Sequence, residues 1–375
     1  MMRTAIPSVR SALLGLRPRP TSLIVDLFGT ESLPLADDLR MSKYVYVPSN
    51  AWFAALTCYC HVLDNEIVGQ YVDQTEMLIV PGCKPISPED VIDPMLDRND
   101  EQYQDYLRLG VEISTAHGLL LNTWEDLDRR SLDALRSIVD IPVYHIGPLT
   151  KAAEPDVTDT EVIGWLDHQP GESVLYVSFG SGGTLSSEQL TELAYGLEMS
   201  QQRFVWVVRS PEAGSSFFSS GKGDDGIVDF LPDGFVGRTQ NLGKVVLHWA
   251  SQMKILSHPS VGGFLSHCGW NSTLESLTNE VPMIAWPFYA EQRMNAAFLT
   301  EEKPEVKPTK KVVRREEIEE MVRSVMEPES GKGMRVRAKE LKSSGEKALS
   351  EGGSSYNSLC EVIKDCQMRL ESTRF

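Results

Sequence analysis

The 375-residue sequence predicts an α/β protein of two domains, each built on a parallel sheet. Three observations carry that prediction. Short apolar runs alternate with segments of helical period. A polar, Pro-containing stretch interrupts the alternation once, at Gly147–Thr160. The chain is also longer than one hydrophobic core ordinarily organises.

Taken in order, Met1–Pro20 is Arg-rich and acid-free, a composition that a transit peptide would share. Val9, Leu13, Leu14 and Leu16 lie near one helical face, however, so the segment reads as a helix. Thr21–Gly29, TSLIVDLFG, reads as a buried strand running into a loop, followed by a helix-like stretch and a second strand, Tyr44–Pro48. Asn50–Leu63 reads as helix, Thr75–Pro94 as a Pro-rich connection and Asn99–Ala116 as helix. Gly118–Asn122 is a strand, Trp124–Val139 a helix and Val143–Ile146 a strand. The first domain is therefore placed at 1–146 and a linker at 147–160.

The second domain, 161–345, opens on the buried strand Val174–Phe179 and a Gly-rich turn, Gly180–Gly183. A helix follows, with Ser186 and Gln189 in capping-box spacing and Leu190, Leu193, Ala194 and Leu197 on one face. Further strands are expected at Phe204–Val208, Val245–Trp249, Gly263–Ser266 and Met283–Ala285, with helices near Ser272–Thr278 and Glu291–Thr300. Ser210–Gly226, rich in Gly and Ser, reads as a mobile surface loop. From Arg314 the chain reads as largely helical, and 346–375 is expected to pack back on the first domain. Two such layers suggest Rossmann-like domains facing a cleft, with ligands beyond the carboxyl ends of the strands.

Composition narrows the function. A net charge of −17 argues against a general nucleic-acid partner, whose phosphates need a basic surface. No stretch approaches the roughly 20 apolar residues of a membrane span. The six cysteines form no CxxC pair, which fits reduced thiols in the cytosol rather than a disulfide framework or a zinc site.

Four segments after strands have polar groups suited to chemistry. Ser178–Gly183, SFGSGG, can bring backbone N–H groups to a phosphate, though a plain tight turn fits equally well. Gly262–Glu275, GGFLSHCGWNSTLE, places His267 in a short loop before a helix that Asn271 or Ser272 can cap; a diphosphate would suit that helix N-terminus. In Trp286–Gln292, WPFYAEQ, Glu291 and Gln292 suit sugar hydroxyls, while a solvated helix start is the plainer alternative. In Trp249–Gln252, WASQ, the Trp can stack a flat base or pack in the core.

Trp249–Gln292 resembles the 44-residue signature box of family-1 plant UDP-glycosyltransferases. It matches at Trp249, Ala250, Gln252, His258, Pro259, Gly263, Phe264, from His267 to Ser272, and at Glu275, Pro282, Trp286, Pro287, Glu291 and Gln292. Ser251 stands where the family usually has Pro. Glu280 stands where it usually has Gly, in a turn expected to favour positive φ. LIVDLFGTE, VPGCKPISPEDVIDP, GLLLNTW and HIGPL resemble the branch containing hydroquinone glucosyltransferases (arbutin synthase).

The resemblance implies the GT-B fold and inverting glucosyl transfer from UDP-glucose to a small phenolic acceptor. It implies that Trp249, with Ala250 beside it, stacks uracil, that Gln252 holds the base or ribose, and that Glu275 binds the ribose hydroxyls. Ser181, His267, Asn271 and Ser272 would bind the phosphates, and Trp270, Glu291 and Gln292, with Tyr289 in the same segment, the sugar. Charge on the leaving UDP would be held by the helix N-terminus and His267, with no metal. Asp126–Asp128, the one DxD, reads as helix capping.

Asp26 matches the aspartate that pairs with the family's catalytic histidine. None of the seven histidines precedes it, and the 25 residues before it are fewer than the roughly 30 of a βαβ unit. The chain is therefore expected to begin partway into an incomplete N-terminal domain, to expose apolar surface there and to transfer poorly. A smaller gap is expected near Glu301–Pro308. The expectation is a cytoplasmic, monomeric glucosyltransferase, impaired in this form; the alternative is a non-catalytic UDP-sugar-binding protein.

Overall fold

The computed structural model describes residues 2–150, 160–209, 231–247, 249–300 and 312–372. Most of the expected linker, the loop at 210–226, His248 and the expected gap near 301–308 lie outside the described residues. The chain divides into two compact units, Met1–Leu149 with Ser343–Phe375, and Thr150–Lys342.

The first unit carries a four-stranded parallel sheet in the order β1-β2-β3-β4: β1 Ser22–Asp26, β2 Ser42–Val47, β3 Gly118–Leu121 and β4 Val143–His145. Its helices are α1 Met2–Gly15, α2 Leu33–Asp38, α3 Ala51–Glu66, α4 Glu101–Ile113 and α5 Glu125–Ile138. In α1 the half-buried face is Ala5, Ile6, Val9 and Leu13, whereas Leu14 and, beyond the helix, Leu16 are exposed.

β1 differs from the expected buried strand. It pairs only with β2, Asp26 is exposed, and Ile24 and the following Phe28 are 55% and 75% exposed. An edge strand presents one unpaired side whatever its apolar content, and periodicity alone does not distinguish edge from centre.

α3 is apolar on nearly every face because α4 and α5 both pack on it. Asn50 is its N-cap, accepting from the Phe53 N–H at 2.8 Å. A second carboxylate serves the same turn. Asp128 breaks from helical geometry inside α5 (φ −135°), and its Oδ2 accepts from the Ala51 N–H at 2.5 Å. The DxD thus caps a helix through Asp128, but that helix is α3 rather than α5.

The second unit carries a five-stranded parallel sheet in the order β7-β6-β5-β8-β9: β5 Val174–Ser178, β6 Arg203–Val208, β7 Gly243–Leu247, β8 Val261–Ser266 and β9 Met283–Ala285. Its helices are α6 Thr160–Leu166, α7 Ser187–Ser200, α8 Phe235–Arg238, α9 Gln252–Leu256, α10 Trp270–Thr278, α11 Gln292–Leu299 and α12 Arg315–Met326. α13, Lys332–Leu349, runs into the first unit, and α14, Ser354–Ser372, belongs to it. There Val362 joins Tyr44, Leu120 and Tyr144, and the Tyr44 hydroxyl donates to Asp365 at 2.7 Å.

Strand alternation builds two cores, one on each face of the second sheet. Leu175, Val177, Trp206 and Val208 meet α7 and α12, while Val174, Tyr176, Val205 and Val207 meet α6 and α9. At about 2 kcal/mol for each fully buried aliphatic side chain, this two-sided burial makes the sheet a rigid base for its loops. The expected capping box at α7 is half formed. Ser186 accepts from the Gln189 N–H at 3.2 Å, but the Gln189 carboxamide pairs with the backbone of Val313 instead.

Candidate active site

β5 connects outward to β6 and β7, while β8 lies on its other side, so the strand order reverses between β5 and β8. Loops leaving the carboxyl ends on either side of such a switch point open a crevice. Ser181 follows β5, Trp249 and Gln252 follow β7, His267 follows β8, and Tyr289, Glu291 and Gln292 follow β9.

His267 sits at the switch point. A Cβ on Gly180 would lie 2.5 Å from its Cε1 and Nε2, and a Cβ on Gly269 would lie 2.6 Å from its Nε2. Gly180 also has φ +70°, so glycine is required there for conformation and for space. The imidazole is 9% exposed, and its Nδ1 has no hydrogen-bond partner among the described residues. Burial, reinforced by the Arg209 guanidinium, pushes its pKa down to about 4. It is therefore neutral near pH 7.

The cation is Arg209, at the end of β6, which sequence reasoning missed. Its Nη1 donates to the Ser181 carbonyl, and burial lowers its pKa while Tyr289 and Tyr176 oppose the shift. An arginine at a strand's carboxyl end was the available signal.

α10 begins at Trp270 with Gly269 as N-cap and no side-chain cap, so neither Asn271 nor Ser272 caps it as expected. Both lie in the first turn, where N–H groups have no carbonyl partner within the helix. Asn271 is exposed and Ser272 is 9% exposed. The Trp270 indole is buried against Phe298, ring centroids 5.8 Å apart, so only its backbone lies in the turn open to a ligand.

Gln252, Ser272 and Glu275 come together. The Gln252 Nε2 donates to Ser272 Oγ at 2.9 Å and to Glu275 Oε2 at 2.7 Å. Beside them the Trp249 indole is 57% exposed, while the Ala250 side chain packs in the core. On the β9 side, Gln292 is buried. Its Oε1 accepts from the Phe288 and Tyr289 N–H groups at 2.9 and 3.2 Å, leaving its amide nitrogen as the donor. Glu291 is the N-cap position of α11. Asn295, fully buried one turn later, donates to the Cys268 carbonyl at 2.9 Å and fixes the His267 loop; its i+4 spacing from Glu291 was the clue. Among the described residues no three His, Cys, Asp or Glu side chains form a metal-ligand group.

Asp26 is set apart in the first unit, at the carboxyl end of β1. No described side chain, histidines included, hydrogen-bonds it.

The arrangement offers an exposed indole, a Gln–Ser–Glu cluster, one cation, a neutral imidazole and an open helix N-terminus around a single crevice. Such a set suits a nucleoside diphosphate. Residues 136–341 match the family model described as UDP-glucoronosyl and UDP-glucosyl transferase. The chain is 55% identical to an anthocyanidin 3-O-glucosyltransferase 5 of Manihot esculenta, over all of this chain and 80% of the relative. It is 43% identical to a hydroquinone glucosyltransferase of Rauvolfia serpentina, over 98% of this chain and 81% of that one. The crystal structure of TcCGT1 in complex with UDP superimposes with TM-score 0.92 at 49% identity, over 98% and 81% of the two chains. The two parallel α/β sheets are thus the two Rossmann-like domains of the GT-B fold, and the chain belongs to the UDP-glucuronosyl and UDP-glucosyl transferase family, among its plant members.

Proposed function

We propose that this chain binds UDP-glucose in the crevice of its second unit and is, by descent, an inverting O-glucosyltransferase for small phenols, acting as a cytoplasmic monomer. The observation that carries the reading is His267, held between two glycines with an unpartnered Nδ1 beside Arg209. A neutral imidazole donates a hydrogen bond to a phosphate oxygen without repelling the neighbouring guanidinium. Trp249 stacks the base, Glu275 and Gln252 hold the ribose, and Glu291 and Gln292 hold the sugar. Ser181 and the first turn of α10, through Asn271 and Ser272, hold the phosphates.

In transfer, the acceptor oxygen attacks the anomeric carbon as its proton passes to water, and UDP departs with the bonding pair. Arg209 and the α10 N-terminus stabilise that charge, so the reading needs no metal. Asp26 orients a general base when a histidine is beside it, and no described histidine is. Loss of general acid–base catalysis typically lowers rates by about 10²–10⁴. The hydroquinone glucosyltransferase among the relatives supports a phenolic acceptor. The test is product formation from UDP-glucose and hydroquinone, compared with the same chain carrying a histidine-bearing N-terminal extension. The reading expects slow transfer that the extension accelerates. Equal rates would remove the assigned role of Asp26, and donor binding with no transfer by either protein would leave a UDP-sugar-binding protein.

A further inference from the structure

The first unit holds a cavity of about 210 Å³, lined by Thr21, Arg40, Met41, Ser42, His117 and Arg369 among others. Thr21 precedes β1, Ser42 opens β2, and His117 precedes β3, so it lies at the amino ends of the strands, away from the carboxyl edge used for catalysis in this fold. It is smaller than the roughly 300–1,000 Å³ of drug-sized sites, so its ligand is small.

The lining is basic in a chain of net charge −17. Lys43 pairs with Asp37 at 2.7 Å, and Arg369 pairs with Asp365 at 2.9 Å. Arg40 has no side-chain partner among the described residues, so it is the surplus cation. His117 Nδ1 accepts from the Lys43 N–H at 3.2 Å, which fixes the neutral ring with its proton on Nε2 as a donor.

The backbone at Arg40 is an independent observation. α2 ends in a Schellman motif: the Met41 N–H donates to the Ala36 carbonyl at 2.8 Å and the Arg40 N–H to the Asp37 carbonyl at 3.1 Å. The left-handed position of that motif favours glycine, yet Arg40 occupies it at φ +55°. A long cation therefore stands at a strained position beside a basic cavity, where glycine would satisfy the turn.

We propose that this cavity binds a small anion with a phosphate or carboxylate head, using Arg40 as its principal charge partner with Arg369 and the His117 Nε2–H. The guanidinium fork matches either head. Burial, with Arg369 and Lys43 nearby, holds the His117 pKa below its ordinary value, while Asp37 and Asp365 oppose the shift. A bound anion acts in the upward direction.

The test uses the whole 375-residue chain at constant ionic strength, with UDP saturating so that the donor crevice is occupied. Melting temperature is followed against inorganic phosphate, phenyl phosphate and benzoate, with chloride as the reference ion. Wild type is expected to gain stability with a saturable dependence on phosphate or on benzoate, the two aromatic probes reporting which head is preferred. Arg40→Gly relieves the left-handed strain, so its baseline melting temperature is at least that of wild type, while its anion affinity falls about tenfold or more. Arg40→Asn, which also tolerates that backbone, loses affinity similarly. Absence of a saturable anion effect in wild type, or its retention in either variant, overturns the proposal.

Discussion

Replacing Gly180 by Ala tests how tightly the switch-point loop is specified. The residue holds φ +70°, a conformation that costs an L-residue about 1 kcal/mol. The new Cβ would lie 2.5 Å from two atoms of the His267 ring, well inside ordinary contact distance. An added Cβ at Gly269 would also lie 2.6 Å from Nε2, so both positions keep space for the ring only as glycine. The imidazole must therefore shift by about 1 Å, a displacement on the scale that costs up to roughly 10²-fold where geometry matters. UDP affinity, measured by calorimetry, is expected to fall about 10- to 100-fold, with only a modest loss in melting temperature. Gly164→Ala is the control. It lies in α6 with nothing within 4 Å of the added Cβ, and is expected to bind UDP normally while gaining up to about 1 kcal/mol from helix propensity. If Gly180→Ala binds UDP as wild type does, the packing of His267 against Gly180 is not a binding element.

His267, with a pKa near 4 in the fold, contributes stability that is full above its ordinary value of 6.5 and lost as the pH falls toward 4. The amount is about 3 kcal/mol, and His267→Gln should flatten that part of the pH dependence in urea titrations. Asp128 has the opposite sign. Burial raises its pKa to about 7, against the Ser131 and Ala51 hydrogen bonds, so its contribution is full at acid pH and lost as the pH rises toward 7. Asp128→Asn should therefore gain about 2–4 kcal/mol relative to wild type at pH 8 and little at pH 4; a loss at pH 8 would show that α3 needs the carboxylate. Glu280 sits at φ +63° and pairs with Lys342 at 2.7 Å. Glu280→Gly exchanges a partly exposed ion pair for relief of left-handed strain, with an expected gain of up to about 1 kcal/mol in chemical denaturation.

The α/β class, both parallel layers and the crevice loops were legible because strand-sized apolar runs ended in polar, Gly-rich segments. Positive φ at Glu280 was legible from the usual glycine of the resembling family. What escaped depended on neighbours remote in sequence. β1 reads as buried by composition, yet among the described residues it pairs only with β2 and exposes Ile24 and Phe28, the apolar surface expected in this domain. Asp128 looks like a cap for its own helix, yet reaches 77 residues back to Ala51. The neutral state of His267 depends on its burial and on the nearby Arg209, neither of which its loop sequence shows. Arg209 itself stands outside the signature box, and its place directly after a strand is the one local sign of it. Trp270 and Gln292 read as sugar-binding from the resemblance, but the indole is buried and the Gln292 carboxamide oxygen fastens a loop. Periodicity and spacing find such positions without saying which way their side chains serve.

The central claim is that the second unit holds UDP through Arg209 and His267. Calorimetric titration of the 375-residue chain with UDP tests it most directly, beside Arg209→Gln. The account predicts one UDP per chain and an affinity at least about tenfold weaker in the variant, since a charge-assisted phosphate contact is worth about 1.5–3 kcal/mol. No UDP binding by the wild-type chain, or equal binding by the Arg209 variant, would contradict it.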